Sequence, residues 1–574
     1  MSLMIRYLRP FAKRMGVGLT IKIFGTLIEL ALPYILSHIL KNIVYFERVS
    51  PIIMWGCIMI FIAALACTCN IIANRMASRV ARDFSRNMRH DLFKRAMTLS
   101  SAQTDAFTIP SLEARITTDT YNVHNFVGVM QRMGVRAPIL LIGGVAITLM
   151  MDSFLALVML SVLPFIFIVV YVISIKGIPL YTKVQRSTDN MIRVVREDTQ
   201  GIRVVKALSK TQYEHRRYDK TNLSLVHDEK KANIVMGMVN PFMTFLMNFG
   251  IVAVVALSAN RVAGGQSDPE NVIAFMQYFT LISMAMMSVT RIFVMYTKSS
   301  ASAKRIEEVI DTPCDILEHT EDEYPCIDTN DHITFKGVSF AYPGTIKTLT
   351  DISFSLKKGS SLGIIGVTGS GKSTLIRLLL RFYDVDKGGI YINSRDIRTL
   401  SHTELHKTIG SAMQNDFLYA DTIYENIDFG RHLPPDQIFK AAKIAQAHDF
   451  ITAFPDGYAH PLSQKGTNIS GGQKQRILIA RAIAGNPQIL ILDDSSSALD
   501  YKTDAALRKA LKENMADTTT VTVAQRVSSV MSCDTIIVMD NGKIIAMGTH
   551  NELMQSCEEY IEISNSQIGG AFVD

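Results

Sequence analysis

Charge is what this sequence has little of. Asp, Glu, Lys and Arg make up 19% of its 574 residues, against 48% hydrophobic, and its mean hydropathy is positive. Ordinary soluble domains carry about 25% charged residues, so part of this chain is expected in lipid. Cysteine supplies no framework, because the seven residues are odd in number and lack the spacing of paired bridges. Cys67 and Cys69, two apart in an apolar stretch, diverge on a helix and make a poor metal pair. Reduced, structural thiols are expected. The first residues, 1–14, lack the continuous apolar core and small-residue cleavage site of a signal peptide. They are basic and read as an amphipathic helix lying along the inner membrane surface. Acidic residues do not balance the basic ones, and the net charge is +7. The excess sits beside apolar runs, where the positive-inside rule puts it, so no nucleic-acid partner is expected.

What is present organises the chain into several units, about three to four by length. Six apolar stretches are candidate membrane spans, at 15–40, 51–74, 133–151, 153–175, 236–260 and 272–296. Most supply the ~20 residues needed to cross a bilayer. Arg132 and Arg136 blur the start of the third. Pro33, Pro138, Pro164 and Pro241 lie within spans, which membrane helices tolerate when neighbours satisfy the freed carbonyls. Spans one and two, three and four, and five and six are joined by short connections. About sixty residues separate the second from the third and the fourth from the fifth, enough to carry helix pairs well below the bilayer. The long connections are basic near the membrane: Arg75, Arg79, Arg82, Arg86, Arg89, Lys94 and Arg95 in one, Lys176, Lys183, Arg186, Arg193 and Arg196 in the other. That asymmetry puts the long connections and both termini in the cytosol. The membrane domain is expected over 15–312, an acidic linker over 313–331, and a soluble α/β domain over 332–574. Within that domain, Asn541-Gly542 between two apolar runs predicts a hairpin.

The residues at 366–373, Gly-Val-Thr-Gly-Ser-Gly-Lys-Ser, fit the phosphate-cradling pattern G-x-x-x-x-G-K-[ST] at every fixed position. An apolar strand precedes the loop and an apolar helix follows it. Gly366, Gly369 and Gly371 let backbone N–H groups of the loop, among them those of Thr368, Ser370 and Thr374, face phosphate. Lys372 reaches β- and γ-phosphates, and the Ser373 hydroxyl suits Mg²⁺. A second apolar strand, 489–492, ends in Asp493, a further Mg²⁺ ligand on a strand neighbouring the loop.

Between them, Ile469-Ser470-Gly471-Gly472-Gln473 resembles the signature sequence of ABC transporter ATPases. Other family features stand in order. Tyr342 matches the aromatic residue that stacks on adenine. Gln414 matches the glutamine that senses Mg²⁺ and faces the membrane domain. Ser497-Ala498-Leu499-Asp500 matches the loop after the second strand. Nearly the whole chain resembles an ABC exporter half-transporter. The resemblance implies a multidomain fold: an all-α six-helix transmembrane domain with long cytosolic extensions, then an α/β P-loop ATPase domain with an antiparallel β subdomain and a helical subdomain. It implies ATP and Mg²⁺ as ligands, and a multi-pass protein of a bacterial inner membrane. It implies a dimer with a second ABC half-transporter, in which Ser470, Gly471, Gly472 and Gln473 face the partner's nucleotide. Membrane lipid and a hydrophobic small-molecule cargo complete the implied partners. Coupling helices are expected around 104–112 and 199–205.

Two positions depart from the family pattern. Asp494 stands where active members carry the glutamate that polarises water, and Gln525 stands where they carry the switch histidine. Asp is one methylene shorter, and catalytic geometry is sensitive to shifts of ~1 Å. Glutamine cannot become cationic. The binding residues remain, so the chain resembles the degenerate-site subunit of a heterodimeric multidrug exporter, as does Gln464 where many relatives have an acid. A homodimer of low activity and a lipid or lipid-linked flippase are the alternatives. Methionines in spans five and six suit a surface that repacks around apolar ligands, although packing or lipid contact accounts for most of them. Glu29 and Arg291, ionisable at membrane depth, are expected to contact cargo, to snorkel or to pair within the protein.

Overall fold

The computed structural model describes residues 2–43, 49–264, 269–342, 348–414, 416–495 and 497–568. They divide into two compact units, one formed by Met1–Thr98 with Ile109–Thr312, the other by Leu99–Thr108 with Pro313–Asp574.

The first unit is helical throughout its described elements. It begins with α1 (Ser2–Leu8), α2 (Ala12–Asn42) and α3 (Val49–Met97). The chain then contributes α4 (Ser101–Phe107) to the second unit and returns in α5 (Ile109–Ala114), a π-helical turn at Arg115–Asp119, and α6 (Thr120–Met151). The remaining helices are α7 (Ser153–Gln200), α8 (Ile202–Ala207), α9 (Thr211–Gly237), α10 (Val239–Ala263) and α11 (Pro269–Ile310). Among the described residues, six helical stretches are long and apolar enough to cross a membrane. At 1.5 Å per residue, the 49 residues of α3 run about 70 Å, more than twice a ~30 Å hydrocarbon core. Its basic half therefore lies outside lipid.

Several local outcomes differ from the sequence expectations. The N-terminal segment is α1 plus a single 3₁₀ turn, and Leu3 and Met4 are buried in protein rather than facing lipid. Tyr7 donates to Asp91 at 2.7 Å and Arg6 pairs with Asp311 at 2.9 Å, which ties this helix to α3 and the segment after α11. The fifth span, expected from 236, straddles a helix break at Met238. Pro241 falls in the first turn of α10, where its missing N–H costs no helical bond. The π-helical turn ends in buried Asp119, which accepts from Ser302 Oγ and Arg305 Nε at 2.8 Å each and holds α6 against α11. All seven cysteines lie among the described residues and none is in a disulfide.

Among the described residues, the second unit carries ten strands. β1 (Ile333–Phe340), β2 (Leu349–Leu356), β4 (Lys387–Ile392) and β5 (Arg395–Asp396) form an antiparallel sheet in the order β2-β1-β4-β5. β3 (Ser361–Gly366), β6 (Ile409–Ala412), β7 (Ile489–Asp493), β8 (Thr519–Val523), β9 (Thr535–Asp540) and β10 (Lys543–Gly548) form the other, in the order β10-β9-β3-β8-β7-β6. That sheet is parallel except for the β9–β10 hairpin. The hairpin turn has Asn541 at φ 45° and Gly542 at φ 73°, the left-handed pair that a tight two-residue turn demands. β8 lies between β3 and β7, so Asp493 reaches the phosphate loop from two strands away, not from the neighbouring strand as expected. Helix α12 (Lys372–Leu379) follows β3, and α13 (His402–Thr408) precedes β6. A helical cluster, α14 (Ile423–Asp428), α15 (Pro435–Ile444), α16 (His448–Thr452) and α17 (Gly471–Ala484), has its own apolar core. Helices α18 (Tyr501–Asn514), α19 (Val527–Val530), α20 (His550–Ser556) and α21 (Glu558–Ile568) complete the unit. Residues 313–331 carry turns but no helix or strand.

Helix α4 is part of this unit's structure. Ser100 and Gln103 form a reciprocal capping box at its start. Ala102 packs on the sheet core, and Tyr383 donates to Asp105 at 2.7 Å. Thr108, at φ 63°, separates α4 from α5, so the stretch expected as one coupling helix at 104–112 spans two helices. The second expected stretch, 199–205, overlaps α8, which begins after Gly201 and buries no residue.

Candidate nucleotide site

Strand β3 delivers Gly366 to the C-terminal edge of the parallel sheet, where α/β folds place their ligands. Gly371 turns the chain into α12 at φ 99°, and a Cβ there would lie 2.6 Å from Leu349 Cδ2. Only glycine fits that turn. The Lys372 ammonium donates to the carbonyls of Gly366 and Val367 at 2.8 Å each, so the side chain lies along the loop. Burial holds its pKa below the usual lysine range, while Asp493 and Asp494 act in the opposite sense. Ser370 is buried within the loop, and Thr368 and Gly369 stand exposed at its rim. The Tyr342 hydroxyl donates to Thr374 Oγ1 at 3.3 Å and accepts from Arg377 at 3.2 Å. Its ring meets Phe340 and Tyr383 edge-on. Pro343, also in that stretch, lies outside the described residues.

Asp493 ends β7 with 3% of its surface exposed. Burial raises its pKa, and a hydrogen bond from the Ser373 hydroxyl partly offsets the rise. A hydroxyl and a carboxylate meeting beside an open glycine turn fit a Mg²⁺-nucleotide. Asp494 follows in the left-handed region, φ 49°, with its N–H donating to Val523 O at 2.9 Å. That conformation turns its carboxylate toward two amides. Oδ2 accepts from Gln414 Nε2 at 2.9 Å and from Gln525 Nε2 at 3.1 Å. The three residues arrive from the loops after β6, β7 and β8, and the fold converges all of them on one oxygen. Burial raises the Asp494 pKa, and the Gln414 bond opposes the shift. Sequence reasoning missed Gln567 on α21, whose side chain donates to Gln525 O at 2.8 Å and accepts from Val527 N–H at 2.8 Å. It anchors the backbone on both sides of Arg526. No local motif marks it, since the partner lies 42 residues away.

The signature residues form a second cluster. Ser470 caps α17, with Gln473 N–H donating to Ser470 Oγ at 3.3 Å and Ser470 N–H donating to Gln473 Oε1 at 2.9 Å. A Cβ on Gly472 would lie 3.1 Å from Ala498 O. The signature thus rests on the turn before α18, and α17 packs on α14, α15, β6 and β7. Asp500 caps α18 by accepting from Thr503 N–H and Oγ1 at 2.9 Å each, which holds its carboxyl below the usual range.

Residues 15–286 match the family described as ABC transporter transmembrane region, and 349–497 match ABC transporter. An uncharacterized ABC transporter ATP-binding protein of Mycobacterium tuberculosis is 31% identical over 99% of this chain and 98% of its own length. The chain belongs to the ABC transporter family. This transporter is also 32% identical to the uncharacterized ABC transporter ATP-binding protein YfiB of Bacillus subtilis, over 98% of each chain. An ATP-dependent lipid A-core flippase of Syntrophus aciditrophicus is 28% identical over 98% of this chain and 94% of its own. The structure of a bacterial Atm1-family ABC exporter with ATP bound superposes with a TM-score of 0.81 at 24% identity, covering 98% of each chain. That last likeness concerns the fold: a six-span helical membrane domain followed by an α/β ABC ATPase domain. The transporter is a multi-pass membrane protein with an ATP-binding domain.

Proposed function

We propose that this chain is the degenerate-site subunit of a heterodimeric exporter that moves hydrophobic or amphipathic compounds, as in multidrug efflux. The observation that carries the reading is the Asp494 carboxylate, tied to two neutral amides at 2.9 and 3.1 Å. A carboxylate that polarises water must reach the water beside the attacked phosphorus. Here the shorter side chain is tethered through Oδ2 by Gln414 and Gln525, and neither amide can supply a proton or a positive charge. The nucleotide is nevertheless well provided for. Tyr342 offers its ring to adenine. The loop N–H groups at 366–374 and Lys372 hold the phosphates. Ser373, Asp493 and Gln414 hold Mg²⁺, which when bound supplies charge neutralisation between β- and γ-phosphates.

Ser470–Gln473 act on the partner chain's nucleotide in this reading. The capped N-terminus of α17 presents the Ser470 hydroxyl and the N–H groups of Gly471 and Gly472 as donors for a γ-phosphate. Helix α4, docked on the ATPase core through Ala102 and Asp105, supports a coupling role for 99–108. The exporter sits in the bacterial inner membrane with the ATPase domain cytosolic. The flippase relative favours a second reading, transport of a lipid or lipid-linked cargo. ATP-driven accumulation in inverted vesicles, measured with this chain alone and with its partner, tests the proposal. Accumulation that needs both chains is expected. Fast hydrolysis and transport by this chain alone identify a homodimer and overturn the heterodimer.

A further inference from the structure

The membrane unit gathers an excess of positive charge near two adjoining cavities. Lys22, on α2, is 4% exposed. Its ammonium donates to Asn70 Oδ1 at 2.7 Å and Asn74 Oδ1 at 3.2 Å, both on α3. Those amides take two of its three hydrogens without cancelling its charge. Two turns along α2, Glu29 accepts from Arg136 of α6, with Nε at 3.2 Å and Nη2 closing a bidentate pair. Arg132, one turn before Arg136, donates its Nε to the Gly128 carbonyl at 3.0 Å. Lys22 lies within electrostatic reach of Arg132, Arg136 and Glu29. The group therefore holds three cations against one carboxylate. Of the readings open for Glu29, pairing within the protein is the one observed.

The ion pair stands between two cavities. Glu29 lines one of about 560 Å³, a size typical of small-molecule sites, with Leu32, Ile251, Met276 and Met284. Arg136 lines a smaller one of about 70 Å³ that shares Met284 and adds Ser288. Arg291 is exposed and follows Ser288 by three residues, which puts it on the same side of α11. A buried cation without a counter-charge, as Lys22 is, is costly within a span and is kept where a partner of opposite charge arrives.

We propose that these two adjoining cavities, which share Leu281 and Met284, take an amphiphile with an anionic headgroup, phosphate or carboxylate, the headgroup in the smaller one that Arg136 lines. The headgroup accepts from Arg136 beside Glu29, in the field of Lys22 and Arg132. The apolar body lies along Leu32, Ile251, Met276 and Met284. Glu29 holds the guanidinium in place and competes with the headgroup for it. A cationic amphiphile of the same length meets net repulsion. The inference rests on the exporter reading and narrows its cargo.

The test uses the full transporter with its partner in discs of zwitterionic lipid. Three probes share one chain length: dodecyl phosphate, dodecylphosphocholine and dodecyltrimethylammonium. Dodecyl phosphate is expected to bind roughly tenfold more tightly than the other two, the scale of one charge-assisted contact. Arg136→Gln is expected to bring the three within about twofold, Arg136→Lys to keep part of the preference, and Glu29→Gln to tighten dodecyl phosphate a few-fold. If Arg136→Gln does not assemble, Arg132→Gln and Lys22→Gln each reduce the preference. Equal binding of all three probes, or preference for the cation, overturns the anionic headgroup and leaves an exporter of uncharged cargo standing. Full displacement of dodecyl phosphate by millimolar inorganic phosphate overturns the amphiphile. Absence of ATP-driven transport for every probe and for neutral dyes removes the exporter reading itself.

Discussion

The phosphate-loop cluster and the signature cluster are built by the same domain under different constraints. Around the loop, polar groups are turned on one another. Lys372 lies on loop carbonyls, Ser373 on Asp493, and Gln414 and Gln525 on Asp494. At the signature, Ser470 and Gln473 satisfy the helix start between themselves. Binding a nucleotide and breaking it need different things from a protein. Binding needs donors in a cradle, which both clusters supply. Hydrolysis needs a carboxylate that reaches the water, and the short Asp494 side chain is tethered through Oδ2 by two amides.

The sharpest way to separate the clusters is to damage one alone. Gly471→Asp puts a carboxylate at the start of α17 against an incoming phosphate. It is expected to lower ATP turnover of the assembled transporter about 100-fold, the cost of losing aligned donors at a transition state. Fluorescent-nucleotide titration should find this chain's own loop within about twofold of wild type. The converse lesion, Lys372→Ala, removes a charged donor. It should weaken nucleotide binding at this chain's loop about 10- to 100-fold, with a smaller loss of turnover in the same assay. Equal losses from both lesions would erase the distinction.

Restoring the chemistry is the next largest effect. Asp494→Glu with Gln525→His is expected to raise hydrolysis at this chain's own site about tenfold, read from single-turnover product formation with the partner's site disabled. No gain with nucleotide still bound would place the limit elsewhere. Smaller still is Tyr383→Phe, which deletes the bond to Asp105 on α4. A hydrogen bond is worth about 1 kcal/mol, so transport per ATP should fall a few-fold while nucleotide affinity holds.

The smallest effect is one of pH. Burial raises the Asp493 pKa in the nucleotide-free chain. The folded state then binds more protons than the unfolded state in the window from the ordinary carboxylate value, about 4, up to the raised one. Stability contributed by this group falls as pH rises through that window. Asp493→Asn should therefore melt slightly higher than wild type in EDTA, with an advantage that grows as pH rises above the ordinary carboxylate value, about 4. Parallel melting curves would contradict the assignment.

The parts legible in the sequence were those whose chemistry needs fixed spacing. The loop at 366–373 and the strand ending in Asp493 depend on neighbours along the chain, and the Asn541-Gly542 turn on two left-handed residues. Other features depend on contacts between distant segments. The break at Thr108 uses a non-glycine residue at φ 63°, which no propensity marks. Glu29 and Arg136 are 107 residues apart. The insertion of β8 between β3 and β7 is a matter of strand order, which periodicity does not encode. Asp494 and Gln525 stood out as departures in the sequence, but their meeting on one oxygen depends on the loops after β7 and β8 being folded together.

The central claim is that this chain's own site holds ATP without turning it over. Photo-crosslinking labelled nucleotide to the assembled transporter after many turnovers, then identifying the species attached to this chain, tests it directly. The account predicts ATP on this chain and ADP on the partner. ADP on this chain, formed as fast as on the partner, would contradict it.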